Sequence, residues 1–154
     1  MPKKYTLPNF LEGILDPKQY KEWLYKKAAA HSKGDLKRFN QKRTAESYRN
    51  LIHDAVQKSE GKDFYTGESL HWQKVSTYRN EDSKAGKSKY KSGFALLPTL
   101  DHIRRTDDIF EFAICGWRTN DAKSDLDLPE MLAFCEKVLI HHGYQVEKPN
   151  HAER

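Results

Sequence analysis

Apolar residues change their spacing partway along this chain, and that change limits what it can fold into. Up to about residue 62 they recur every three or four positions; beyond it they fall in short extended runs. The first spacing lays one apolar stripe on a helix, and the second belongs to strands. Asp16-Pro17 reads as a helix start, a capping residue followed by proline at the first helical position. Tyr20, Trp23, Leu24 and Ala28 then share a face, and this helix is predicted to fade near Gly34. From His31 to Arg43 the chain is rich in Lys and Arg. Thr44 caps a second predicted helix, with Tyr48, Leu51, Ile52, Ala55 and Val56 as its stripe and Gly61 as its end. Both stripes are expected to be core.

In the second half, "DFYTGESL" (Asp63 to Leu70) reads as two short extended pieces around a Thr66-Gly67 turn. Arg79 to Gly93 is polar, with four lysines (Lys84, Lys87, Lys89, Lys91) and two glycines, and is predicted to be a loop. "FALLPTLDHI" is extended, with Pro98 pointing to an edge or irregular strand, and "IFEFAIC" alternates as a second strand. "RRTDD" connects them. After "GWRTN" a short polar helix is expected over "NDAKSD", then a last helix from Asp127-Leu128-Pro129 to Gly143 striped by Leu132, Cys135, Val138 and Leu139. The fold class is therefore α+β: an N-terminal helical region over 1–62, a strand-strand-helix unit with a closing helix over 63–142, and a tail over 143–154.

The 154 residues suit one domain, or a small domain with an added helical segment. Lys and Arg number 27 against 22 Asp and Glu, a net charge of +5. Such a balance fits an anionic partner, most often nucleic acid, and equally a solvated lysine-rich surface. Two cysteines, Cys115 and Cys135, cannot build a four-cysteine zinc site. Few cysteines, no apolar leader in "MPKKYTLPNF" and no long apolar run point to a cytoplasmic protein with no membrane partner.

The chemistry concentrates in "LPTLDHI", where Asp101 and His102 stand side by side at a strand end. Adjacent strand residues point to opposite faces, so the two do not simply pair. A hairpin followed by a helix can bring Asn120 to the same place. An Asp carboxylate and an Asn amide oxygen suit Mg²⁺, which keeps waters and fills its shell from phosphate. His102 suits the removal of a proton from water near neutral pH. Lys123 is one helical turn beyond Asn120 and suits a phosphate oxygen. Together they fit metal-assisted phosphodiester hydrolysis.

On "TLDHI" (Thr99 to Ile103) and "WRTNDAKSDL" (Trp117 to Leu126), with "FEFAIC" between, the chain resembles the HNH endonuclease family and its ββα-metal motif. The resemblance spans roughly Asp63 to Leu139. It implies Asp101 and Asn120 as ligands of Mg²⁺ or Mn²⁺, His102 as general base, and DNA as partner and substrate. Lys123 and Arg118 would neutralise charge, and Arg104, Arg105, Lys87 and Lys89 would contact phosphates. Three features depart from the family's pattern. Glu111 stands where asparagine usually braces the catalytic loop. The family's two Cys-x-x-Cys knuckles fall on Asp63, Thr66, Gly116 and Thr119, so no structural zinc is expected. "RRTDD" is shorter than many relatives' loops. Two other readings stay open: a non-catalytic nucleic-acid-binding module of ββα shape, and an RNA-directed nuclease.

Overall fold

A computed structural model describes residues 4–40, 43–105 and 110–150; the side chains of 87–91, 104 and 105 lie outside what it describes. The first helix, α1 (Pro17–Phe39), opens on a capping box. Asp16 accepts from the Gln19 backbone N–H at 2.7 Å, and the Gln19 side chain accepts from the Asp16 N–H at 3.0 Å. Tyr20, Trp23, Leu24 and Ala28 are buried, as the stripe predicts. The helix does not fade near Gly34. It runs through that glycine to Asn40, which takes the left-handed conformation at φ 54° and ends it. A glycine inside a helix costs only about 1 kcal/mol. The turn beyond it is held by Asp35, which is buried and hydrogen-bonded to other elements.

Thr44 caps α2 (Ala45–Ser59) by accepting from the Ser47 N–H at 3.1 Å, and Tyr48, Ile52, Ala55 and Val56 are buried along it. Glu60 and Gly61, both at positive φ, turn the chain out. Residues 80–92, expected as a loop, form α3 (Asn80–Ser92). Pattern alone missed it because the segment has no apolar stripe, yet it is rich in lysine and carries Glu81 and Asp82 in its first turn, where the helix dipole favours acids.

Strand β1 (Pro98–Arg105) pairs antiparallel with β2 (Phe110–Gly116). Pro98 is the first strand residue, a position that spares it a ladder N–H. The register runs from Pro98 opposite Gly116 to His102 opposite Phe112, then shifts so that Arg104 faces Glu111, leaving Ile103 as the extra residue. Helix α4 (Trp117–Lys123) follows β2 directly. It starts three residues before the predicted "NDAKSD", so Asn120 lies within it rather than opening it. The described residues therefore hold five α-helices and a two-stranded antiparallel sheet, an α+β arrangement.

The core lies between α1, α2 and one face of the hairpin. Trp23, Leu24, Tyr48, Ile52 and Val56 pack with Leu100, Phe110, Phe112 and Ile114, and Trp72 closes one end with its ring 5.4 Å from that of Trp23. Two compact units separate along the chain, Met1–Ala122 and Lys123–Arg154. The second contains α5 (Leu128–His141), which opens on an Asp127–Glu130 capping box. Gly143 at φ 89° ends it, and the Tyr144 N–H returns to the Leu139 carbonyl at 2.9 Å. None of its apolar residues is buried. No helix among the described residues is long and apolar enough to cross a membrane.

Candidate active site

One buried carboxylate organises the entrance to the hairpin. Asp63 is 2% exposed. Its Oδ1 accepts from the backbone N–H groups of Tyr65 (2.7 Å) and Thr66 (3.1 Å), and Oδ2 accepts from the Gly116 N–H (2.8 Å) and the Thr119 hydroxyl (2.7 Å). Four donors from the turn, the end of β2 and the first turn of α4 thus converge on one side chain. Gly116 is needed for this approach: a Cβ there would stand 2.9 Å from the Ala95 carbonyl oxygen and 3.2 Å from Asp63 Oδ2. Thr119 spends its hydroxyl on Asp63 from inside α4. Trp117 packs edge-on against Tyr78 at 4.9 Å.

The turn held by Asp63 carries Tyr65 toward β1, where its phenol donates to Asp101 Oδ2 at 2.5 Å. Burial, reinforced by the Asp101 carboxylate, pushes the Tyr65 phenol well above its ordinary range, so it remains a donor. Asp101 pairs with Ala113 and shares its face of the sheet; His102 pairs with Phe112 and faces the other way. The His102 ring lies 4.7 Å from the Phe112 ring and 5.3 Å from Phe110. Its Nε2 is 3.0 Å from Asp35 Oδ2, which also accepts from the Tyr48 hydroxyl at 2.7 Å.

His31 sits beside this group, its ring 5.5 Å from that of His102. Burial, with further contributions from His102 and Lys27, lowers His31 to about 4, while Asp35 opposes the shift. His31 is therefore part of the group around His102. Lys27 reaches Thr99 Oγ1 at 3.5 Å, and burial lowers its ammonium below the usual lysine range. Asp35 and Tyr48 carry no functional signal in the sequence, and Asp63 enters there only as a position of the resembled family's zinc knuckles. One pattern could have found Asp35: Lys27, His31 and Asp35 are spaced by four, one stripe of a helix that continues through Gly34.

Asn120 is half-buried on α4, one residue after Thr119, and no hydrogen bond joins it to Asp101 or His102. Arg118 is exposed on the same helix. Lys123 is buried at the end of α4 and begins the second compact unit. The side chains of Arg104, Arg105, Lys87 and Lys89 fall outside the described residues, although 104 and 105 lie in β1 and 87 and 89 in α3. Glu111 faces away from His102, on a cleft of about 190 Å³ that Lys58, Lys62 and Ile103 also line. Among the described residues no group of three or more His, Cys, Asp or Glu is arranged to hold a metal. No protein-family model, curated protein or solved structure matches the chain.

Proposed function

We propose that this protein is a metal-dependent endonuclease of the HNH type that hydrolyses phosphodiester bonds in DNA. The observation that carries the reading is the cluster around Asp63. The four positions at which the resembled family places its zinc cysteines, Asp63, Thr66, Gly116 and Thr119, meet through the hydrogen bonds of one carboxylate. That supports a hairpin-and-helix unit in which a hydrogen-bonded carboxylate does the tying that a zinc ion does elsewhere. The same carboxylate fixes the turn whose Tyr65 orients Asp101, and the helix that carries Asn120.

One carboxylate and one amide oxygen suit Mg²⁺ or Mn²⁺, which take few protein ligands and complete their shell with water and phosphate oxygens. Asp101 and Asn120 would hold the ion, and the ion would supply charge stabilisation at the scissile phosphate. Tyr65 donates to Asp101 Oδ2 and so orients the carboxylate. His102, facing away from Asp101, would take the proton of water. Arg118 and the Arg and Lys positions of β1 and α3 would meet the phosphate backbone, which positions nucleic acid without reading its sequence.

The second reading is a binding module that keeps the ββα shape without cutting. It draws on Glu111, which faces away from His102, and on Asn120, which shares no hydrogen bond with Asp101. Incubation with supercoiled plasmid over a Mg²⁺ and Mn²⁺ titration separates the two. The parent should nick or cut, and EDTA should abolish it. His102→Ala should lose on the order of 10²–10⁴-fold in rate at every metal concentration. Asp101→Ala and Asn120→Ala should show defects that change with metal concentration and identity. A parent that binds DNA and never cuts it would leave the binding module.

A further inference from the structure

The stripe Lys27–His31–Asp35 faces β1, as the contacts to Thr99 and His102 show. A carboxylate oxygen only accepts hydrogen bonds. The Tyr48 hydroxyl and the His102 Nε2–H therefore both donate to Asp35 Oδ2. In a neutral imidazole with its proton on Nε2, Nδ1 holds the lone pair. Phe110 and Phe112 flank the ring and limit its turning. Asp35 is 3% exposed and reaches His102 from a helix 67 residues away in sequence. Glu111, the acid on the adjoining strand, faces the other side.

We propose that Asp35 is the positioning residue of His102: it fixes the Nε2–H tautomer and presents Nδ1 as the base toward the attacking water. The role rests on the nuclease reading above. In the step it serves, Nδ1 takes a proton from water as the water oxygen bonds to phosphorus. The bond from phosphorus to the 3′ oxygen breaks, and that oxygen takes a proton from solvent. Asp35 stabilises the imidazolium through the hydrogen bond it already makes, as the acid of a Ser-His-Asp triad does. Tyr48 holds the carboxylate in place by its second hydrogen bond.

The test combines imidazole ¹⁵N spectra of the full-length labelled protein with plasmid cleavage. His102 in the parent should show a protonated Nε2 and a bare Nδ1. Asp35→Ala should populate both tautomers, and Asp35→Asn, whose amide can donate to Nε2, should shift the proton toward Nδ1. Both variants should lower kcat by roughly 10–100-fold, the scale seen for outer partners of metal-site histidines, with KM little changed. If Asp35→Ala fails to fold by circular dichroism, Asp35→Asn has the same shape and carries the comparison. A parent with the proton on Nδ1 overturns the proposal. So do Asp35 variants that cut at the parent rate while His102→Ala does not cut, an outcome that leaves the nuclease reading standing. A parent that never cuts removes that reading and this role together.

Discussion

Asp63 shows how much one side chain can decide. It is a carboxylate with no solvent, accepting from four donors that belong to a turn, a strand end and a helix. Asp63→Ala would leave the Gly116 N–H and the Thr119 hydroxyl buried without an acceptor. Each such orphan costs about 1–3 kcal/mol, so a loss of about 2–6 kcal/mol is expected. Asp63→Asn should fall between parent and alanine, because its amide nitrogen would meet donors on one side. Urea unfolding of the three proteins checks the order. An Asp63→Ala protein within about 0.5 kcal/mol of the parent would remove the carboxylate from its central place.

Among the elements, α1 runs past the end its sequence pattern predicts, and its last turns carry the residue that meets His102. Gly34 interrupts it at no steric need: its φ is not positive and a Cβ there would meet nothing within 4 Å. Gly34→Ala should therefore stabilise the protein by about 0.5–1 kcal/mol, seen as a higher thermal midpoint with an unchanged fold. Destabilisation would mean that the helix bends at this glycine. In the hairpin, the extra residue Ile103 shifts the register just after His102. Up to that point paired side chains share a face, which sends Asp101 toward Tyr65 and His102 toward Asp35. Two neighbours in sequence thereby acquire separate supports.

For the whole molecule, acid should be the most informative stress. The fold encloses His31 against His102, Lys27 and Arg38, which with burial hold it near 4 against an ordinary 6.5, and Asp35 offsets only part of this. Between those values the unfolded chain binds a proton that the folded protein refuses. Stability at this site is fully present above 6.5, falls as pH drops through the window, and levels off below about 4. His31→Gln should flatten that fall without changing its direction elsewhere. Chemical unfolding of parent and variant across the window measures it; parallel pH curves for the two would assign the acid limb to other groups. The net charge of +5 belongs to the same scale, as it adds long-range attraction for a polyanion.

Residue order alone determined the α+β class, the stripes of α1 and α2, the capped starts of α1 and α5 and the two strands. These follow from local periodicity and from side chains that bond their own backbone within a turn. The resemblance to the HNH family, not residue order by itself, marked Asp63, Thr66, Gly116 and Thr119 as one set. The length of α1 was masked by Gly34, which reads as a break, and the helix at Asn80–Ser92 was not legible because it has no apolar stripe. Nor were the partners of the chemistry. Asp35, 67 residues from His102, and Tyr65, 36 residues from Asp101, are brought there only when α1 and the 63–67 turn pack on the hairpin. Hydrogen bonds of that range have no sequence period. They exist because burial leaves each carboxylate to find its donors inside the fold rather than in water.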